Sequence, residues 1–143
     1  MKIKIKELML GDLVMVDNKP CKVLELGGMA CVTPIDKYDE LFCNEEDMEP
    51  ITITKEILEK NGFSSYAKDN LRYECEVDVL TPERCEVCVT LQDESPDYDE
   101  DSANIDVYAG PDGDFYGRPW CAVYVHQLQQ ILRICGIEKE IVL

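Results

Sequence analysis

Trp120-Cys-Ala-Val-Tyr-Val-His-Gln-Leu-Gln-Gln-Ile-Leu-Arg-Ile-Cys-Gly136 is the stretch on which the reading of the fold turns. It contains the single tryptophan, the single histidine and the most regular apolar spacing in the chain. Residues 120–124 are mixed apolar and read as a strand. From Val125 the spacing becomes that of a helix. At about 100° per residue, Val125, Leu128, Ile131, Leu132, Ile134 and Cys135 share one half of the circumference. His126, Gln129, Gln130 and Arg133 share the other. An apolar arc of that width suits a helix lying on a sheet. Gly136 supplies the left-handed residue after the last turn, and Ile137 is placed to close an apolar contact over it. Gln127 intrudes among the apolar positions, so its amide is expected to bond to backbone. The tail, 137–143, alternates loosely and is predicted to return as a final strand.

The imidazole of His126 titrates near neutrality, which makes it the natural candidate for acid–base chemistry. No acid–base constellation accompanies it in the sequence, so the expectation is a first-turn histidine bonded to neighbouring backbone or solvent. No catalytic, cofactor-binding or metal-ligating residue is assigned.

A chain of 143 residues forms one domain or two small subdomains sharing an interface, here a β subdomain over 1–53 and an α+β subdomain over 54–143. No apolar run approaches 18 residues, so no membrane span is expected. Met1-Lys-Ile-Lys-Ile-Lys6 carries charge without a following apolar core, unlike a signal peptide, and a cytoplasmic protein is expected. The eight cysteines are scattered through strand-like and helix-like segments and read as small buried side chains. Cys85 and Cys88 form the one Cys-x-x-Cys pair, and alternation sets them on opposite faces of a strand. Only Cys75 and Cys121 offer to complete a four-thiolate site, so zinc is not expected.

The formal net charge is −16, thirty acids against fourteen bases. That excludes phosphate neutralisation as a binding mode for nucleic acid, and it disfavours anionic membranes. Its ordinary meaning is solubility. Its sharper meaning is a surface imitating DNA. About half of the acids fall in two loop-like runs, 36–49 and 93–101, where their positions are expected to be poorly fixed. The charge is therefore read as mainly solubilising, with any partner bound through an apolar or mixed surface at shallow salt dependence.

From the start, Ile3 and Ile5 alternate with lysines as in an opening edge strand. Gly11-Asp12 turns into a strand over 13–16, and 17–20 is a turn by composition. Strands over 21–26 and 29–33 flank Gly27-Gly28, giving a small bent sheet similar to an SH3-like barrel. Residues 36–49 read as an acidic loop with a short strand at Leu41. Thr54 caps a helix over 55–60, with Ile53 and Leu58 as the apolar staple and Asn61-Gly62-Phe63 as its stop. Residues 64–70 are polar connection. Strands follow over 73–79, with Glu74, Glu76 and Asp78 on a solvated face, and over 85–91 after a turn at 81–84. Residues 92–104 read as a solvated loop. Asp97-x-Asp99-x-Asp101 opens like a calcium loop, but Ser102 and Tyr108 stand where the glycine and the bidentate glutamate belong. A strand over 105–108 and a turn over 110–114 complete the chain. Phosphate-cradling glycine loops, Gly-x-Ser-x-Gly and paired histidines are missing.

Three groups of residues together resemble a widespread set of small uncharacterised proteins of gut-bacterial genomes, prophages and other mobile elements. They are Leu8 to Val14 with Lys19-Pro20-Cys21-Lys22-Val23, then Glu49-Pro50-Ile51 with the Thr54 to Phe63 helix, and Tyr124-Val125-His126-Gln127-Leu128-Gln129. The chain departs from that set in its acidic loop, 92–104, and its cysteine count. The resemblance implies a phage or mobile-element accessory protein and carries no activity. The sequence thus points to an α+β protein, a small bent or SH3-like β-sheet followed by an antiparallel sheet packed by a C-terminal helix. Its expected role is that of a non-enzymatic acidic interaction protein with a protein partner. The alternative is a DNA-mimic inhibitor of a DNA-binding protein; an enzyme or zinc protein is least favoured.

Overall fold

The computed structural model describes residues 2–65, 72–77, 85–91, 103–109, 114–115, 120–122 and 124–143. The chain divides into two compact units. Met1–Thr52 with Tyr124–His126 form the first, and Ile53–Val123 with Gln127–Leu143 form the second.

In the first unit, β1 (Leu13–Val16) and β2 (Lys19–Leu26) are joined by Asp17 and Asn18, whose φ angles are 49° and 61°. Two consecutive left-handed residues make the tight hairpin turn whose twist matches that of its strands, and short polar side chains tolerate it. The turn is shorter than composition suggested: Lys19 and Pro20 lie in β2, opposite Val16 and Met15. β2 shifts register between Val23 and Glu25, where an irregularity bends the strand. β3 (Ala30–Pro34), β4 (Leu41–Cys43) and β5 (Met48–Glu49) complete an antiparallel sheet in the order β4-β3-β2-β1-β5. The sheet is curled, and its inner face gathers Val14, Val16, Cys21, Val23, Ala30, Val32, Cys43 and Met48 with Ile3 and Leu8. Period-two alternation along β1 and β2 is the cause.

The opening segment is not the expected strand. Ile5–Glu7 is a 3-10 turn, with Glu7 N–H donating to Lys4 O at 2.9 Å and Leu8 N–H to Ile5 O at 3.1 Å. Ile5 N–H donates to the Glu45 carboxylate at 2.9 Å. Those bonds engage backbone groups that a strand would offer to a neighbour, while Ile3 still reaches the core. The acidic run 36–49 is also better ordered than expected. β4 falls where the short strand was predicted, and a 3-10 turn at Glu45–Asp47 then leads into β5.

In the second unit, α1 (Lys55–Lys60) starts at Thr54, whose Oγ1 accepts the Ile57 N–H at 3.3 Å. It stops at Gly62 (φ 82°), with Phe63 N–H donating to Leu58 O at 3.0 Å. Ile53, Leu58 and Phe63 are buried. β6 (Ser64–Ser65), β7 (Arg72–Val77), β8 (Cys85–Leu91), β9 (Ala103–Ala109) and β10 (Asp114–Phe115) form a sheet ordered β10-β9-β8-β7-β6. β11 (Trp120–Ala122) also pairs with β9. Ser64 and Ser65, expected in a connection, pair with Glu74 and Tyr73. Asn104, expected in a loop, pairs with Thr90 and Cys121. Tyr73 and Cys75 are buried on β7, and Val87, Cys88 and Val89 in succession on β8, so β8 is covered on both faces there. The calcium-like run 97–101, the turns at 81–84 and 110–113, and Asp78 lie outside the described residues.

α2 (Val125–Ile134) forms where predicted, but its buried face is rotated. His126 and Gln129 are buried beside Val125, Leu128, Ile131 and Leu132, whereas Ile134 is 71% exposed. The buried arc is displaced by roughly 80° toward His126 when positions are laid out at 100° per residue. Gly136 (φ 70°) ends the helix, with Ile137 N–H donating to Leu132 O at 2.9 Å. The tail beyond it, 138–143, forms no strand. Asn61 holds it instead, with Nδ2 donating to Val142 O and Oδ1 accepting Val142 N–H, both at 2.7 Å. Among the described residues no helix is long and apolar enough to cross a membrane.

Candidate functional site

His126 is 3% exposed, and its Nδ1 has no hydrogen-bond partner among the described residues. Its ring stacks on Tyr124 at 5.8 Å and 11°. This differs from the expected solvated or backbone-bonded ring. The first turn of α2 is drawn into the first unit, where Val125 N–H donates to Ile51 O at 2.8 Å and Tyr124 bridges Thr52. Burial pushes the imidazole below its ordinary pKa, and the carboxylates of Asp12 and Glu7 oppose that shift. Asp12 is itself fully buried and accepts the Met9 N–H at 2.8 Å. A neutral ring enclosed to this degree presents no face to a dissolved substrate.

The described thiols do not suggest nucleophiles either. Burial pushes Cys21, Cys31 and Cys43 above the ordinary thiol range, and neighbouring acids add to it, so the thiolate is disfavoured. Cys88 is buried within β8. Among the described residues, no three His, Cys, Asp or Glu side chains gather as metal ligands would.

The exposed apolar side chains mark a different place. Nine large hydrophobic residues are exposed among those described, and five of them, Met29, Ile35, Tyr38, Leu41 and Phe42, lie on or beside the β3–β4 hairpin. Phe42 is 66% exposed and Tyr38 73%. The loop that carries Ile35 and Tyr38 is held locally. Thr33 Oγ1 accepts the Asp39 N–H at 2.8 Å and donates to Lys37 O at 3.4 Å, while Ile35 N–H donates to Pro20 O at 3.1 Å. These bonds tie the connecting loop to the sheet, and the Tyr38 hydroxyl donates to the Glu40 carboxylate at 2.7 Å. That bond, reinforced by the negative charge of Glu40, raises the Tyr38 phenol above its ordinary pKa. On β4, Cys43 turns into the core and Phe42, opposite Cys31, turns out.

Beside this patch lies an open groove of about 770 Å³, lined by Ile5, Lys6, Gly27, Gly28 and the 44–47 turn. Continuing the Ala30–Cys43 register by one step sets Met29 across from Asn44, so the groove borders the Met29 end of the hairpin, opposite the 35–40 loop. Asn44 N–H donates to the Asp47 carboxylate at 3.0 Å, which fixes the turn. Seven acids and one base, Lys37, occupy positions 36–49. By sequence these residues read as an acidic loop. The sequence gives no sign that they border an unpaired sheet edge. The arrangement offers apolar contact ringed by negative charge and no reacting group. Compared with protein-family models, curated proteins and solved structures, the chain matches none.

Proposed function

We propose that this chain is a non-enzymatic interaction protein that binds a protein partner through the β3–β4 hairpin of its first unit. The observation that carries the reading is that five of the nine exposed large hydrophobics among the described residues, Met29, Ile35, Tyr38, Leu41 and Phe42, lie on or beside this one hairpin. Scattered exposed hydrophobics are ordinary on a soluble surface, but a contiguous patch with a polar rim is the mark of a binding surface. We also read the first unit as an SH3-like barrel. A meander of four strands, a 3-10 turn and a fifth strand returning beside the first has that order of elements. Such small barrels serve as binding modules, although the inference from fold is analogy and the patch is the stronger ground. An accessory role in a phage or mobile element accords with this reading.

The test places a photo-crosslinking amino acid at Phe42 and, as a control, at Asn18 in the β1–β2 turn, in cells producing the protein. Crosslinking to a protein at Phe42 and not at Asn18 is the expected result. Equal crosslinking at both positions would remove the surface as a specific site. A captured protein that is displaced by duplex DNA would instead make the chain an acidic decoy for a DNA-binding protein.

A further inference from the structure

We infer that the occupant of this surface is an extended segment of a partner protein carrying lysine or arginine, which adds to the sheet as a strand along β4. The inference rests on the interaction reading above and specifies its chemistry.

β4 is the terminal strand of its sheet, so among the described residues no strand pairs with its outer edge. An unpaired strand edge is a template for another strand, and proteins that do not use it cover it with lysine, proline or a bulge. Leu41, Phe42 and Cys43 supply none of these. An added strand would lay alternate side chains beside Phe42, which is exposed on the outer face.

Charge decides what kind of strand fits. Asp39 and Glu40 precede β4 and Glu45, Glu46 and Asp47 follow it, all exposed. A second copy pairing antiparallel about Phe42 would set Asp39 against Glu45 twice, with −16 on each chain. Like charges placed directly opposite destabilise a strand pair. A nucleic acid strand meets the same repulsion. A lysine- or arginine-bearing segment turns the same groups into attraction at both ends of the strand. The groove between Lys6, Gly27-Gly28 and the 44–47 turn receives one of its basic side chains beside Glu46.

The experiment uses the full chain labelled with nitrogen-15 and three blocked nonapeptides. One alternates valine with lysine, one replaces the lysines with glutamate, and one keeps the lysines but is N-methylated at alternate amides. Expected with the lysine peptide are saturable shifts at the Leu41, Phe42 and Cys43 amides and slowed exchange of those facing outward. Affinity should fall at least tenfold with the glutamate peptide, at least tenfold with the methylated one, and severalfold between about 50 and 500 mM salt. Phe42→Ser, at an exposed position, should weaken binding while leaving the other amide positions in the spectrum unchanged. Equal affinity for the methylated and unmethylated peptides would overturn strand addition. Equal affinity for the lysine and glutamate peptides would overturn the basic occupant, as would binding of neither peptide. Crosslinking at Phe42 is scored separately, so each of these failures leaves the interaction reading to stand or fall on its own result.

Discussion

Asn61 does for the tail what a strand ladder would otherwise do. Its Nδ2 donates to Ile57 O and Val142 O and its Oδ1 accepts Val142 N–H, each at 2.7 Å. Asn61→Ala removes all three bonds and frees the segment that carries buried Ile141. The expected loss is about 2–3 kcal/mol in urea unfolding, with faster proteolysis at the C-terminus. His126 gives a second prediction, in pH. Its pKa in the folded chain lies below the unfolded value of 6.5, chiefly through burial. Below pH 6.5 the unfolded chain therefore takes up a proton that the folded chain refuses. The associated stability is fully present above 6.5 and is lost as pH falls toward the lower folded value. The melting temperature should decline between pH 7.5 and 5, before most carboxylates titrate. His126→Gln should flatten that slope. A wild-type melting temperature that is level or rises through the window counts against the buried neutral ring.

Helix α2 tests packing at the next scale. Leu128 and Leu132 are 0% and 1% exposed, so Leu→Ala at either should cost about 2–5 kcal/mol. Ile134→Ala and Gln130→Ala should each stay within about 0.5 kcal/mol. Comparable losses at Ile134 and Leu128 would return the helix to the orientation its apolar residues alone suggest. The difference between those orientations shows which features sequence carries. Thr54, Gly62 and Gly136 were legible because caps are local chemistry, and so were β1, β4 and β8, whose boundaries follow alternation and turn residues. The rotation of α2 was not legible. Periodicity ranks His126 and Gln129 as polar, and the carboxylates whose charge reaches the buried His126 ring, Asp12 and Glu7, are remote in the chain. Ile3 and Ile5 misled in the same way, since their alternation is compatible with a strand but Glu45 captures the Ile5 N–H. The surface was half legible: its acids and aromatics are plain in 36–49, while the open edge beside them is a property of strand order.

At the scale of the whole molecule, the two units are not consecutive halves of the chain. The first has about 55 residues, a size that folds alone only marginally, and three of them, Tyr124–His126, come from the segment that opens α2. Val125 is both a fully buried residue of that unit and the first residue of the helix. Its N–H is held by Ile51 O, and Tyr124 is bridged to Thr52. Unravelling the helix therefore withdraws buried side chains and backbone bonds from the first unit as well. Cooperative unfolding follows from this sharing of chain, and native-state hydrogen exchange can measure it. Amides of Val23 and Val32 report on the first unit, and those of Tyr73 and Val89 on the second. Both sets should show the same opening free energy, and Leu132→Ala, a change confined to the second unit, should lower both equally. If Leu132→Ala lowers only the second set, the first unit holds its fold without the helix, and the shared segment is a linker instead of a structural tie.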